Sequence, residues 1–402
     1  MRFLCVSLGL HPDVVGGAWR VAAEQAAGLA RRGHSLEIIT GNPDGRRPAR
    51  EIREGITLHR FAAAPGSFYQ KWRAQNRAAA ALVRERLAAA GADPVLVVQH
   101  HAFLEPALAT VPAPILHVFH GPWAEEFRFA RRAVPRSLPR RALDALAARL
   151  MHRVEARALR RAQRILVLSQ HFHRQLHRWH PTRLPEVQIA PGGVDSQRFQ
   201  PLPDRDALRA RWGLTPRDKL FLALRRLDPR MGLDLLIDAF ARLAPRHPHA
   251  QLWLTGTGAA EASLRSRIAA TPFAARIRLL GFIPDDDLPS LLNAADATIM
   301  PSLDLEGFGL ATVEALACGT PVLGSRAGAT PEILEPLDPA LLFATGSVDA
   351  LEQVGQNFLT TPERFPSRER CASYARERYS WTALVDAGES AHTRFLSGKA
   401  TR

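Results

Sequence analysis

The chain has 402 residues, which is too long for one ordinary hydrophobic core and predicts two domains. Because 46% of the residues are hydrophobic, the composition predicts a globular protein and excludes a disordered one. No apolar run reaches the ~18 residues of a membrane-spanning helix, and the first residues, which lack a small-residue cleavage pattern, predict a β-strand in place of a signal peptide. The net charge of +14 comes mostly from arginine, and no recognition module accompanies it, so nucleic acid is not the expected partner.

Strand and helix patterns alternate along the first half of the chain. Short apolar runs predict strands at residues 2–8, 36–40, 57–61, 95–99, 115–119, 165–169 and 187–190. Helical periodicity lies between most of them, notably over residues 17–31, 69–90 and 141–161. This alternation predicts a parallel sheet covered by helices on both faces.

A Pro- and Gly-rich break at residues 190–203 separates this half from a second alternation. There the predicted strands are residues 220–224, 251–255, 277–280, 297–300, 321–323 and 341–343, and a terminal helix follows over 381–396. The sequence therefore predicts a second doubly wound domain.

The most informative segment lies between Pro301 and Leu334 and carries two carboxylates, Glu306 and Glu314, eight residues apart. Gly307 and Gly309 allow a tight turn and a close approach of backbone to a ligand. A helix that begins near Gly309 presents free N–H groups and the positive end of its dipole, which favours a phosphate. Glu306 is placed to accept hydrogen bonds from ligand hydroxyls, and Glu314 could hold a ribose. The alternative is that Glu306 is an ordinary acid at a helix N-terminus and Glu314 a solvated surface charge.

These residues resemble the EX7E region of retaining family 4 glycosyltransferases. The resemblance extends over nearly the whole chain, through Gly16-Gly17, His120-Gly121, the segment from Pro191 to Asp195, and Tyr379-Ser380-Trp381. It implies an α/β protein of GT-B architecture, with two doubly wound Rossmann-like domains that face a central cleft. The expected domains are residues 1–195 on the acceptor side and 196–379 on the donor side. Residues 380–402 are expected to return to the first domain as a helix.

The resemblance also implies the roles of site residues. Glu306 would orient the donor sugar, Glu314 the ribose, Arg226 the diphosphate, and His120 would line the sugar pocket. Further donor-binding residues are expected on both domains: Gly16, Gly17, Arg230, Phe282, Gly307, Phe308, Gly309 and Leu310. The adjacent His100 and His101 should point in opposite directions on a strand, so they make a poor metal pair and are interpreted as structural or cleft-edge residues.

The expected phosphate-binding segment departs from the family pattern, in which Gly-Arg-Leu is followed by Lys-Gly. Arg226 matches the family Arg, but Arg225 replaces the Gly and Met231 replaces the Lys. A thioether cannot offset the charge of a diphosphate. Compensation by Arg230 is the first expectation, because Arg binds phosphate in bidentate fashion. Reliance on Arg226 with the helix terminus near Gly309, and weak or absent activity, stay open.

The implied activity is transfer of a sugar from a nucleotide-diphosphate sugar to an acceptor hydroxyl with retention, in synthesis of surface polysaccharide, lipopolysaccharide or glycolipid. No metal and no cofactor are expected, because residues 285–287, Asp-Asp-Asp, are interpreted as helix capping. The alternatives are a non-catalytic or weakly active sugar-nucleotide binding protein, and a GT-B epimerase or phosphorylase.

Location is inferred from the cysteines and from one basic segment. Cys5, Cys318 and Cys371 lack metal-ligand spacing and predict core thiols in a reducing, cytoplasmic compartment. Residues 131–164 carry eleven Arg against Asp144 and Glu155. A helix with Leu146, Leu150, Val154 and Ala158 beside Arg149, Arg153, Arg157, Arg160 and Arg164 could lie on the anionic inner face of the cytoplasmic membrane. The alternative is a helix that packs on its domain and exposes its Arg face to solvent.

Overall fold

The computed structural model describes residues 1–132 and 137–399. The chain divides into an N-terminal unit, Met1–Gly192 with the segment from Trp381 onward, and a C-terminal unit, Gly193–Ser380. The first boundary follows Gly192 where the sequence predicted residue 195, and the second follows Ser380 where it predicted residue 379. Residues 133–136 of the basic segment and residues 400–402 of the predicted terminal helix lie outside the described residues.

The N-terminal unit is built on a sheet of eight strands, which run in the order β3-β4-β2-β1-β5-β6-β7-β8. Their bounds are β1 Arg2–Val6, β2 Ser35–Asn42, β3 Arg50–Arg53, β4 Ile56–Ala62, β5 Val95–Gln99, β6 Ile115–Phe119, β7 Arg164–Val167 and β8 Glu186–Ile189. The helices between them are α1 Gly17–Arg31, α2 Phe68–Ala90, α3 Glu105–Leu108, α4 Trp123–Arg132, α5 Leu138–Arg161 and α6 Gln170–Trp179, with a 3-10 turn at Ala102–Leu104.

Apolar side chains on the central strands explain why this sheet lies inside the unit. Leu4, Val6, Val97 and Ile115 are almost completely buried, as expected for a parallel sheet covered on both faces. β3 is the exception, because it pairs antiparallel with β4 at the edge, and the sequence did not predict it. Since β1, β5 and β6 are neighbours and parallel, the residues that follow them meet at the carboxyl edge of the sheet.

The C-terminal unit has a parallel sheet of six strands in the order β11-β10-β9-β12-β13-β14. Their bounds are β9 Lys219–Leu224, β10 Ala250–Thr255, β11 Ile277–Gly281, β12 Ala297–Met300, β13 Val322–Ser325 and β14 Leu342–Phe343. The helices are α7 Arg205–Arg211, α8 Leu233–Leu243, α9 Glu261–Ala269, α10 Leu288–Ala294, α11 Leu310–Ala317, α12 Thr330–Leu334, α13 Val348–Thr360 and α14 Arg368–Arg378. 3-10 turns occupy Pro229–Met231, Ala274–Arg276, Asp285–Asp287, Pro339–Leu341 and Pro362–Arg364.

The last helix, α15 Thr382–Lys399, belongs to the N-terminal unit. It buries Leu384 and Val385 against α1. Gln25 Nε2 donates a hydrogen bond of 3.1 Å to the carbonyl oxygen of Leu384. Gly28 of α1 leaves room for Val385, because a Cβ at residue 28 would lie 2.4 Å from a Val385 methyl carbon. None of the helices in the described part of the chain is both long and apolar enough to cross a bilayer.

Candidate active site

The loop that holds Glu306 joins β12 to α11 at the carboxyl edge of the second sheet. Gly309 caps the N-terminus of α11 with a φ of 101°, a left-handed conformation that favours glycine. The backbone of the loop is fixed from the other side, where Ala329 N–H donates to the Glu306 carbonyl oxygen at 2.9 Å. The helix N-terminus and the Glu306 loop therefore lie where the sequence placed them.

Arg225 is the cation that meets the Glu306 carboxylate. It follows β9, which is the neighbour of β12 in the sheet, so the segments that follow these two strands lie side by side. Arg225 Nη2 donates to Glu306 Oε2 and to Ser302 Oγ at 2.8 Å, and it lies 2.8 Å from Met231 Sδ. The side chains of Arg225 and Glu306 are only 7% and 14% exposed. The result is a buried ion pair at the centre of the candidate site.

This pairing determines the ionisation of Glu306. Burial raises the pKa of its carboxyl group, but the charges of Arg225 and Arg230 and the hydrogen bonds from Arg225 and Ser302 more than offset it, so the pKa lies below its ordinary value. Ser302 Oγ donates to the same oxygen of Glu306 at 3.1 Å. Glu306 is therefore an ionised hydrogen-bond acceptor near neutral pH.

Of the three arginines that follow β9, Arg225 is the one that pairs with Glu306, and the role expected for Arg226 stays a prediction. Arg226, the expected diphosphate ligand, has an exposed side chain, whereas Arg225 reaches Glu306. Arg230, the expected substitute for the lysine at position 231, donates to the Leu305 carbonyl oxygen at 3.1 Å and lies 3.9 Å from Asp228. Sequence reasoning missed Arg225 because it treated this residue only as the replacement of a glycine.

The other predicted residues of this unit fall into two groups. Glu314 is buried in α11 at 6% exposure, which contradicts the alternative that it is a solvated surface charge. Phe308 is also buried and meets Tyr379 edge-on, with ring centroids 5.8 Å apart, so its side chain serves packing. Phe282 is 54% exposed, and Gly307 and Leu310 are partly exposed on the loop and the first turn of α11.

In the N-terminal unit, Gly16 caps α1 and Gly17 is its first residue, as the sequence indicated. The loop before them is anchored by Asp13, a residue that sequence reasoning did not select. Its carboxylate bonds to Arg60 at 2.7 Å and to Arg53 at 3.0 Å, and its side chain is 6% exposed. Arg53 lies on β3, the strand that the sequence did not predict, so this anchor could not have been found from spacing.

His120 follows β6 and belongs to a cluster of aromatic rings at the carboxyl edge of the first sheet. His100 Nδ1 and His120 Nε2 lie 3.1 Å apart. The His101 ring stacks on that of His120 at 5.4 Å, and the Trp19 ring lies 4.0 Å from that of His101. Both His100 and His101 lie after the last residue of β5 and contact His120, so the strand alternation on which the sequence argument rested does not apply to them.

The contact between His100 Nδ1 and His120 Nε2, together with the burial of His100 Nε2, indicates the tautomers of both rings. His100 Nε2 is buried and has no hydrogen-bond partner in the described part of the chain, and an unpaired buried N–H is rarer than an unpaired buried acceptor. The proton of His100 therefore belongs on Nδ1, which donates to His120 Nε2, and His120 carries its own proton on Nδ1. Nitrogen-15 NMR of the His120 ring should report an Nδ1–H tautomer. His100→Ala should change it, whereas His101→Phe, which keeps a stacked ring, should not. An Nε2–H form of His120 in the wild-type protein contradicts the assignment.

The same cluster makes stability depend on pH. Burial lowers the pKa values of His100 and His101 well below the ordinary value, and it lowers the pKa of His120 to about 3. Burial also lowers the pKa of His117, which lies on β6 beside Gln99, to about 3. As the pH falls from about 6.5 towards 3, the unfolded chain binds protons that the folded chain does not, so each histidine removes up to ~1.4 kcal/mol of stability per pH unit. Above pH 6.5 this contribution is constant.

Urea unfolding at pH 7 and pH 5 tests this dependence. The wild-type protein should lose stability between the two values, and His101→Phe should lose less. His249→Phe, at an exposed position in the other unit, is the control and should behave as the wild type. Equal stability of the wild-type protein at both pH values contradicts the expected dependence.

Acidic residues at positions 285–287 form a 3-10 turn before α10, so their place at a helix start is confirmed. Their interpretation as capping is wrong, because Asp287 at the N-cap of α10 makes no side-chain capping hydrogen bond. Asp285 pairs with Arg198 at 2.5 Å and Asp287 with Arg211 at 2.8 Å. Within residues 1–132 and 137–399, no group of three or more His, Cys, Asp or Glu side chains is arranged to hold a metal ion. The expected independence of a metal stays a prediction.

Two family models match this chain in consecutive segments. The model described as Glycosyltransferase Family 4 matches residues 15–198, and the model described as Glycosyl transferases group 1 matches residues 204–378. The division between the matches falls close to the boundary of the two structural units.

Similar proteins include a GDP-mannose-dependent monoacylated alpha-(1-6)-phosphatidylinositol monomannoside mannosyltransferase of Corynebacterium glutamicum, which is 35% identical over 50% of this chain. That match spans only 54% of the relative, about half of its length. A D-inositol 3-phosphate glycosyltransferase of Segniliparus rotundus is 26% identical over 92% of this chain and 83% of its own.

Among solved structures, sucrose-phosphate synthase from Thermosynechococcus elongatus superposes with a TM-score of 0.83 over 99% of both chains, at 20% identity. At that identity the likeness concerns the fold alone. The fold is the α/β GT-B type with two Rossmann-like domains, and the chain belongs to glycosyltransferase family 4.

Proposed function

We propose that this protein transfers a hexosyl group from a nucleotide-diphosphate sugar to an acceptor hydroxyl, with retention at the anomeric carbon, in the synthesis of a glycolipid or cell-surface polysaccharide. The observation that carries the proposal is the ionised Glu306 beside the N-terminus of α11, with Arg225 against it. Family membership and the names of the relatives, which include enzymes that use GDP-mannose, support it.

The proposed sugar transfer requires a group that accepts hydrogen bonds from the sugar hydroxyls, and positive charge near the leaving group. In the proposed step the bond between the anomeric carbon and the diphosphate oxygen breaks, and its electron pair goes to the diphosphate. The acceptor oxygen attacks from the same face and its proton passes to the departing diphosphate. Positive charge fixed near the leaving oxygen stabilises this transition state, and Glu306 would hold the sugar by its hydroxyls.

Cationic side chains take the role that a metal has in other transferases. Arg225 and Arg230 lie near Glu306, and two of the three aspartates at 285–287 are paired with arginines. The proposed reaction is therefore independent of divalent metal.

Proton NMR of the purified protein with UDP-glucose, GDP-mannose and ADP-glucose, in the presence of EDTA, tests the assignment. The anomeric proton signal of one donor should disappear, by transfer to a glycolipid extract or by slow hydrolysis, and the product should keep the anomeric configuration. No turnover of any donor, or an inverted product, contradicts the proposed function.

We also propose that the acceptor is reached at an anionic membrane surface, through the first half of α5. Leu138, Leu143 and Leu146 are 77%, 65% and 60% exposed, and exposed arginines at 140, 141, 149 and 153 flank them. The second half of the predicted surface is excluded, because Val154 and Ala158 are buried and Arg164 lies on β7 paired with Glu186. Exposed leucines among arginines favour an interfacial helix.

Co-sedimentation with phosphatidylglycerol vesicles tests this surface. The wild-type protein should bind at low salt and less at high salt, and the double variant Leu143→Ser/Leu146→Ser should bind at least ~10-fold more weakly, since two exposed leucines contribute about 1.5–3 kcal/mol each when buried. Leu396→Ser, at a 40% exposed position of α15, is the matched control. Wild-type binding by the double variant, or no binding at low salt, contradicts the proposal.

A further inference from the structure

The guanidinium of Arg225 has more hydrogen-bond donors than the site satisfies. Its Nη2 donates to Glu306 and Ser302. Its Nε is buried without a partner, and the contact found for Nη1 within the described residues is the Met300 sulfur at 3.7 Å. A thioether is a weak acceptor, so among the described residues neither Nε nor Nη1 has an oxygen partner.

Open donors are not unique to Arg225, because Arg60 Nε and Arg53 Nη1 of the Asp13 anchor are also buried without a partner among the described residues. Buried arginines are stable when their remaining donors are satisfied, because each unsatisfied buried donor carries a desolvation cost. Arg209 of the same unit meets this condition, with bonds to the carbonyl oxygens of Ala294, Thr215 and Asp218 and to the Asp296 carboxylate. The open donors of Arg225 lie beside Glu306 and Met231 at the carboxyl edge of the sheet, where an anionic ligand with several oxygens would complete its coordination.

Position 231 adds an independent observation. The Met231 sulfur lies 2.8 Å from Arg225 Nη2, so the guanidinium occupies the space that a longer cationic side chain at 231 would reach. Arg230, the sequence-based candidate for this charge, is held by the Leu305 carbonyl oxygen and lies near Asp228. Arg225 is thus better placed to supply the charge that Met231 lacks.

We propose that Arg225 binds the diphosphate of the donor, and that its side chain, entering from the end of β9, replaces a cation at position 231. The inference rests on the proposed function, because it assumes a nucleotide-diphosphate ligand. Arg225 then contacts two groups at once, the Glu306 carboxylate and the diphosphate, and so couples the position of the leaving group to that of the carboxylate.

Calorimetric titration with UDP, GDP and ADP, and with the corresponding monophosphates, tests this role without requiring turnover. Arg225→Ala should weaken binding of the preferred diphosphate about 10- to 100-fold, as expected for loss of charge-assisted hydrogen bonds. Binding of the monophosphate should change much less, since the effect belongs to the terminal phosphate. Arg226→Ala, which removes the exposed neighbouring arginine, should have the smaller effect.

The double variant Arg225→Gly/Met231→Lys removes the Arg225 guanidinium and places a lysine ammonium in the same region from position 231. It should recover most of the lost diphosphate affinity, whereas Met231→Lys alone should bind no better than the wild type, because it brings two cations together beside one carboxylate. A thermal unfolding scan of each variant separates loss of binding from loss of fold, and the double variant keeps the test valid if Arg225→Ala does not fold.

The two proposals fail differently. Wild-type protein that binds none of the three diphosphates overturns the proposed function together with this inference. Wild-type protein that binds one of them, with unchanged affinity in folded Arg225→Ala or a larger loss in Arg226→Ala, overturns the role of Arg225 alone. If the double variant folds but does not recover diphosphate affinity, the claim that Arg225 replaces a cation at position 231 is wrong.

Discussion

Replacing Glu306 with glutamine should lower the rate of sugar transfer about 10²- to 10³-fold, the effect of removing one preorganised electrostatic group. Glutamine keeps the shape of the side chain and an acceptor oxygen but removes the charge that the depressed pKa of Glu306 maintains. It also leaves the Arg225 guanidinium without its counter-charge. The effect should therefore appear in kcat more than in the affinity for the nucleotide diphosphate.

Glutamine is a better test of this carboxylate than alanine. Removing one partner of a buried ion pair destabilises a protein by about 3–5 kcal/mol, so Glu306→Ala risks confusing loss of activity with loss of fold. The matched control is Glu335→Gln, which removes a surface carboxylate paired with Arg326 at 2.9 Å and about half exposed. It should leave activity unchanged. Full activity of Glu306→Gln contradicts the assignment of the site.

The fold was largely predictable because the apolar periodicity of parallel strands is strong. β5, β6 and β12 have the bounds that the sequence indicated, and the others differ by one to two residues at their ends. β3 was missed because it is a short edge strand with exposed, alternating polar residues, Arg50 to Arg53, and little apolar content. Edge strands of this kind are hard to distinguish from loops.

The candidate site was predictable in its backbone and less so in its side chains. Glu306, Gly309 and Glu314 could be placed because their local spacing defines a turn and a helix. The contact of Arg225 with Glu306 joins residues 81 positions apart, and it depends on β9 and β12 being neighbours in the sheet. Sequence spacing contains no information about which of two adjacent arginines after a strand turns inward.

The same limit applies to the histidines of the N-terminal unit. His100 and His120 follow β5 and β6, which are adjacent and parallel, so their rings meet at one edge of the sheet. The sequence gives each residue a place at a strand end, but the hydrogen bond between them, and with it the proton position on His120, follows only from the strand order.

Gly256→Ala should be the most destabilising single-methyl change at this site, with a loss of about 4 kcal/mol or more in the free energy of unfolding, at the extreme of point mutations. Gly256 follows β10, with a φ of +115°, and an added Cβ would lie 2.0 Å from the Arg225 carbonyl oxygen. The Cβ is attached directly to the backbone, and the Arg225 oxygen belongs to it. The ends of β9 and β10 are held together by the hydrogen bond from Arg225 N–H to the Thr255 carbonyl oxygen at 3.2 Å. The clash cannot be relieved by a side-chain rotation.

Gly213→Ala is the matched control, because Gly213 also has a positive φ of +75° but nothing lies within 4 Å of its added Cβ. It should cost only the backbone strain, about 1–2 kcal/mol. Urea unfolding of both variants separates the cost of backbone strain from the cost of the clash. Equal losses in the free energy of unfolding would show that the backbone after β9 moves away from the added Cβ, and would contradict the prediction. Since Gly256 approaches the backbone of Arg225, any folded Gly256→Ala protein should also bind the nucleotide diphosphate more weakly. Gly213→Ala should bind it as the wild type does, so the two variants connect the glycine at the end of β10 to the position of the Arg225 guanidinium.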